Sequence, residues 1–372
     1  MISVNKFKLE KSDKQKLISA LNNNWISSAG PEVTEFENKF KKLIGKKYCS
    51  SVSSGSAALD IAFKVINLKK DDEVIIPNFT IISSAISVIK LGAKPVPIDC
   101  DFYNWNMKIN LIEKKISKKT KAILATHIYG YPIEIDKIKK ICKKYNLILI
   151  EDAAEMLGHK FQGKYCGSFG DLSIFSFYSN KHITTGEGGM VLTSNKKFKD
   201  KIFDYKNLCF GKKNRFNHYD IGWNYRYTNL QAALGLNQIN RIDKIIRKKK
   251  KIGRNYYNKL SKLSNIYIQK PKIKNLENVY WVVGILILNK KITAEKFREE
   301  LKKYKIETRS FFWPMSKQDV FKKYNLKFRG KFPNSEYISK YGFYVPSGLD
   351  TSEKDINNVC KSIIKIKNKY NF

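Results

Sequence analysis

The sequence predicts an α/β fold: a mainly parallel central sheet with helices on both faces, followed by a smaller C-terminal α+β domain. Three observations lead there. Short apolar runs recur at residues 73–76, 94–98, 122–125 and 147–150, and they are continuous rather than alternating, as in strands covered on both faces. Helical patterns separate them, at 80–90 and 134–145. After about residue 245 the alternation stops, which places a large domain over 1–245, with an N-terminal arm over about 1–30, and a small domain over 246–372. The chain has 372 residues, 42% of them hydrophobic, enough for two cores of unequal size.

Each element has its own justification. Pro31 suits a first helical turn, and Val33, Phe36, Phe40 and Leu43 share one face, so 31–44 reads as a helix. A second helix is expected over 56–66. Further strands are expected at 173–177 and 189–193. A long helix is expected from 229 to about 263, kinked near Gly253. The small domain should hold a strand at 279–288 and helices at 293–304 and 352–367.

Composition excludes several classes. The six cysteines form no C-x-x-C pair and the four histidines show no ligand spacing, so neither a disulfide framework nor a metal is expected. Met1 to Lys6 has no apolar leader, and no run approaches the roughly 20 apolar residues of a membrane helix. A soluble cytoplasmic protein is expected. The net charge of +38 is dispersed along the chain, for example at Lys118-Lys119, Lys143-Lys144 and Lys248 to Lys251. Two readings stay open for it: solvated helix faces, or attraction for a polyanionic substrate such as a nucleotide diphosphate. A basic DNA-binding regulator is the rival of a different class. Against it, the lysines form no single stripe and no recognition helix is evident.

In a parallel α/β sheet the chemistry lies beyond the carboxyl ends of the strands. Four segments carry candidate chemistry, three of them directly after strands. Ser53-Ser54-Gly55-Ser56 opens a helix and is either a phosphate cradle or an ordinary N-cap. Phe79 follows a strand and is either a ring for stacking on a planar cofactor or a core residue. Glu151-Asp152 ends a hydrophobic strand, where one carboxylate can pair with a cationic nitrogen and keep it charged. Lys181 stands between a strand and the turn Thr184-Thr185-Gly186-Glu187-Gly188-Gly189. Desolvation there can activate an amine whose free pKa is about 10.4.

The order of these segments resembles the fold-type I pyridoxal-phosphate enzymes. The wording of "SNKHITTGEGGM" at 179–190 and "GWNYRYTNL" at 222–230 resembles the DegT/StrS family of sugar aminotransferases. So do "WISSAGPEVTEFE" at 25–37, "THIYGYP" at 126–132 and "ETRSFFWP" at 307–314, so the resemblance spans nearly the whole chain.

The resemblance implies a pyridoxal 5′-phosphate cofactor that passes through its pyridoxamine form. It implies Lys181 as the Schiff-base lysine and proton carrier, with Asp152 at the pyridine nitrogen. Glu155 would lie near the 3-oxygen and Phe79 on the ring. Gly55, Ser56 and Ser176 would hold the phosphate, with Asn224 reaching over from a second subunit of a homodimer. Arg226 and Arg309 are implied for substrate or donor anions, and Trp25, His218 and Trp281 for the sugar-nucleotide pocket, with core packing as the alternative for these three. The implied substrates are L-glutamate and a nucleotide-linked 4-keto-6-deoxy sugar, with GDP as the first expectation and UDP- or dTDP-linked 4-keto or 3-keto sugars as alternatives. The family's dehydratases carry histidine in place of the lysine, so Lys181 favours transamination. Tyr227 departs from the family's methionine and is expected to reshape the pocket; Ser179 replaces a glycine.

Overall fold

The computed structural model describes residues 1–372 except 274, 275, 325, 327, 329 and 372. The central sheet has seven strands: β1 (Tyr48–Val52), β2 (Glu73–Pro77), β3 (Lys94–Ile98), β4 (Thr120–Thr126), β5 (Ile148–Asp152), β6 (Leu172–Ser176) and β7 (Gly189–Thr193). Their spatial order is β1-β7-β6-β5-β4-β2-β3. The five strands from β6 to β3 are parallel, and β7 runs antiparallel to both neighbours. Two cores lie against this sheet. One gathers Phe36, Phe40, Ile123, Leu149 and Phe175; the other gathers Leu59, Phe63, Ile76, Leu124 and Ile174. Adjacent residues of β4 and β5 thus feed opposite cores, which is why both strands read as unbroken apolar runs.

The smaller sheet is antiparallel, with β8 (Ile266–Ile268), β9 (Val283–Ile287), β10 (Arg309–Ser310) and β11 (Gly342–Val345) in the order β8-β9-β11-β10. Helices Ala294–Lys303, Pro333–Tyr341 and Glu353–Lys369 pack with it, and its core includes Ile285, Leu286, Phe297, Phe343 and Val359.

Strands β3 and β7 and helix Pro31–Ile44 have the bounds the periodicity predicts. β1 has no apolar run, and pairing with β7 at the sheet edge makes it a strand. The expected helix over 229–263 is two helices, Asn229–Asn240 and Ile242–Leu260, and the break is at Arg241, not Gly253. Arg241 leaves helical geometry there, and its guanidinium grips the buried Asp13 at 2.8 and 2.6 Å. Gly253 stays helical, and a ring occupies the space a side chain would fill: a Cβ there would lie 2.2 Å from Tyr280. Helix Ile242–Leu260 begins in the large-sheet core with Ile242 and Ile246 and ends in the small-sheet core with Ile252, Tyr256 and Leu260.

Residues 1–30 belong to both halves. Ile2 exchanges backbone bonds with Lys305 and Glu307 at 2.8 and 2.9 Å, whereas helix Lys11–Asn22 packs on Asn229–Asn240. Among the described residues no helix is long and apolar enough to cross a membrane.

Candidate active site

A cleft of about 290 Å³ opens beyond the carboxyl ends of β2, β4, β5 and β6 and is closed from the other side by Trp281, Phe312 and Tyr344. Period-two alternation decides which acid at the end of β5 enters it. Asp152 lines the cleft, and Glu151 points the opposite way. Glu151 is fully buried. It accepts backbone N–H bonds from Gly167, Phe169 and Gly170 at 2.5, 2.8 and 2.9 Å and a bond from His127 Nε2 at 3.1 Å. His127 Nδ1 accepts from Ile133 N, so the ring proton sits on Nε2. Burial opposes the Glu151 charge, but His127 and these amides outweigh it and hold the carboxyl below its ordinary value. Glu151 therefore anchors the end of the strand that carries Asp152.

Asp152 is 3% exposed and accepts from Ala154 N at 3.0 Å. Burial pushes its pKa up, against that amide and the charge of Lys181. Lys181 follows β6 through a turn closed by its own N–H on the Tyr178 carbonyl, 2.9 Å. Its Nζ lies 3.5 Å from Glu155 Oε1 and 3.8 Å from the centroid of the Trp281 ring. Burial lowers the Lys181 pKa, partly offset by Glu155 and Asp152. Glu155 accepts from Tyr129 N at 2.7 Å, and burial raises its pKa to about 7 against the pull of Lys181. The amine and both carboxyls are thus each drawn toward neutrality by burial.

At the other end of the cleft, helix Gly55–Val65 begins. Ser54 caps it by accepting from Ala57 N at 3.0 Å, which leaves the first-turn amides of Gly55 and Ser56 facing the cleft beside Ser176. A Cβ on Gly55 would lie 2.8 Å from the Ser176 Cβ, so glycine is what allows this close approach. The donor set fits pyridoxal phosphate: an anion seat at a helix start, a buried carboxylate for a cationic nitrogen and a dry amine. Asn180 adds a buried Oδ1 that has no hydrogen-bond partner among the described residues.

Of the residues singled out in the sequence, Gly55, Ser56, Asp152, Glu155, Ser176, Lys181 and Trp281 meet in this one cleft. Phe79 does not. It is fully buried, with its ring 5.7–5.9 Å from those of Tyr129, Phe311 and Phe312, so it is a core residue. The chain turns after β2, and the side chains that reach the cleft are Thr80 and the half-exposed Ile81. Tyr227 also lies outside the cleft, stacked on Phe36 at 5.8 Å in the large-sheet core.

Five other residues, Trp25, His218, Asn224, Arg226 and Arg309, lie outside their own chain's cleft. Trp25 is exposed; its backbone N–H donates to the Ala20 carbonyl and its carbonyl accepts from Asn229 Nδ2, both at 3.0 Å. His218 sits on an exposed loop and bonds the Leu208 carbonyl through Nδ1. Asn224 is exposed and accepts from Arg226 Nε at 2.8 Å, which ties these two to each other. Arg309 is exposed on β10, paired in register with the cleft residue Tyr344 on β11. Sequence reasoning missed Ser83, Thr126, Tyr178, Phe312 and Tyr344 as lining residues. Thr126 and Phe312 lie inside motifs already noted; Tyr344 carries no local signal, since tertiary packing alone brings β11 to the cleft.

The family pattern of DegT/DnrJ/EryC1/StrS aminotransferases matches residues 8–364. The chain is 38% identical over 355 residues to GDP-perosamine synthase of Escherichia coli O157:H7, covering 94% of each. It is 34% identical over 373 residues to GDP-perosamine synthase of Vibrio cholerae, covering the full length of both. The solved structure of the aminotransferase TlmJ from Streptoalloteichus hindustanus shares the fold at a TM-score of 0.93 and 21% identity, over all of both chains. The chain belongs to the DegT/DnrJ/EryC1/StrS aminotransferase family and is a pyridoxal-phosphate-dependent sugar aminotransferase.

Proposed function

We propose that this aminotransferase moves the amino group of L-glutamate to C4 of a nucleotide-linked 4-keto-6-deoxy sugar, with GDP-4-keto-6-deoxymannose as acceptor and GDP-perosamine as product. The observation that carries this reading is near-full-length likeness to two relatives named GDP-perosamine synthase, in a chain that keeps a lysine at position 181.

When bound, pyridoxal phosphate supplies the carbonyl that carries the amino group and the ring that accepts electrons from the breaking bond. Gly55, Ser56 and Ser176 would hold its phosphate, Asp152 would face its ring nitrogen, and Glu155 its 3-oxygen. Lys181 would act through Nζ as both base and acid of the 1,3-proton shift in each half-reaction, taking a proton at one end of the shift and giving it up at the other. Glu155 at 3.5 Å and Asp152 favour the protonated amine, while burial favours the neutral one, so Nζ can both accept and release. Trp281, Phe312 and Tyr344 form the wall that keeps water from the reacting atoms. Arg309, exposed and paired with the cleft residue Tyr344, would meet a substrate anion. Asn224, outside its own chain's cleft and bonded to Arg226, would serve the cleft of a second subunit in a homodimer.

The test is an absorbance titration. Wild-type protein with pyridoxal phosphate should gain a visible band that glutamate discharges and that Lys181→Ala lacks. The acceptor that restores the band should be the GDP-linked 4-keto sugar rather than its UDP- or dTDP-linked counterparts. Restoration by another nucleotide sugar overturns the GDP assignment. Failure of glutamate to discharge the band overturns the donor.

A further inference from the structure

We propose that Trp281 is a catalytic residue of this site: the face of its indole receives the Lys181 ammonium whenever that amine is free, and the Asn180 carbonyl holds the two in register. The proposal rests on the reading of Lys181 as the cofactor's lysine, and it assigns Trp281 to the reacting amine rather than to the sugar.

The geometry has three parts. Lys181 Nζ is 3.8 Å from the Trp281 ring centroid, well inside the roughly 6 Å range over which a ring face attracts a cation. Trp281 is only 5% exposed, so little water competes for the charge. The Trp281 Nε1–H donates to the Asn180 carbonyl at 2.9 Å, and Asn180 immediately precedes Lys181. Ring and lysine are therefore joined at two points, through the backbone at the base of the side chain and through the ring face at its tip. Asn5 Nδ2 reaches the same carbonyl at 3.0 Å and fixes it from the N-terminal segment.

The backbone that carries the indole is held close. Gly130 adopts a left-handed φ of 88°, and a Cβ there would come 2.5 Å from the Trp281 backbone nitrogen. The Tyr129 ring packs 5.8 Å from the indole.

The charged and titratable groups around the amine are few. Glu155 and Asp152 face it from the end of the large sheet; Tyr178 and Glu187 line the cleft on either side of Lys181 in the chain, and the buried His182 follows it and feels its charge; Tyr344, beside Arg309, closes the cleft from the small sheet. Both carboxyls are themselves drawn toward neutrality by burial. The indole attracts the ammonium without titrating. It gives the released amine a fixed place to keep its proton until a substrate carbon takes it.

The experiment follows the rate at which cofactor-free protein gains visible absorbance on mixing with pyridoxal phosphate, across pH, in wild type, Lys181→Ala, Trp281→Phe and Trp281→Leu. Only the neutral amine condenses, so the midpoint of the profile reports the amine's proton affinity. The midpoint should fall by about one pH unit in Trp281→Leu. It should fall less in Trp281→Phe, which keeps a weaker ring and loses the Nε1–H. If Trp281→Leu does not fold, Trp281→Phe decides alone. A midpoint that stays at the wild-type value in every folded variant overturns the proposal. Loss of any Lys181-dependent band in wild type overturns the reading of Lys181 instead, and that failure does not involve Trp281.

Discussion

The chemistry of the cleft depends on three groups whose charges are poorly solvated. Glu155 has a folded pKa of about 7 against an ordinary 4.5, raised chiefly by burial. For a group raised on folding, the stabilisation is complete below the ordinary value and is lost as pH rises through the folded one. Cofactor-free wild type should therefore lose thermal stability as pH rises from about 5 to about 8, and Glu155→Gln should lose less; parallel curves in a pH series of thermal melts would show that Glu155 does not carry the effect. Asp152→Asn keeps the shape of the side chain and removes its charge. It should lower kcat by about 100-fold or more, as removal of a preorganised electrostatic group does, and steady-state kinetics at saturating substrates checks it.

At the scale of elements, the site depends on how strand ends are anchored and how the two sheets meet. Glu151 and His127 form a fully buried pair beneath the end of β5, and the amides of Gly167, Phe169 and Gly170 complete it. The meeting of the sheets runs through helix Ile242–Leu260, where Tyr280 lies against Gly253. Alanine raises helix propensity but places a methyl group inside the Tyr280 ring. Gly253→Ala should therefore destabilise by about 1–3 kcal/mol in denaturant unfolding, against a gain of about 1 kcal/mol expected at an open helical site. Because Tyr280 adjoins Trp281, the same variant should also raise KM.

For the whole molecule, the excess of 71 basic over 33 acidic residues sets the field in which the substrate arrives. A nucleotide diphosphate is drawn in by such a field, and salt weakens it: the screening length falls from about 30 Å at 0.01 M to about 8 Å at physiological ionic strength. KM for the nucleotide sugar should rise over that interval while kcat stays level; a flat KM would assign the lysines to solvation alone. The proposed sharing of clefts between subunits has its own check. Lys181→Ala and Asn224→Ala proteins, each impaired alone, should recover part of the activity when mixed and allowed to exchange subunits.

Much of this protein is readable from local chemistry. Unbroken apolar runs mark β2 to β5 because their faces are covered, and residues at or just beyond the ends of parallel strands fall in the cleft, as Asp152, Ser176 and Lys181 do. The family follows from motif wording alone. What tertiary structure decided were the facts that depend on distant partners. Phe79 and Ile81 both stand near the end of one strand, and only the packing of Tyr129, Phe311 and Phe312 assigns the first to the core and leaves the second in the cleft. Gly253 looks like a kink because glycine usually is one, whereas its neighbour Tyr280, remote in sequence, makes it a point of close packing. Tyr344 arrives from the small sheet with no local signal of its role. Sequence periodicity reports which face of an element is buried; it carries no information on what that face is buried against, and the cleft is made where two such faces meet.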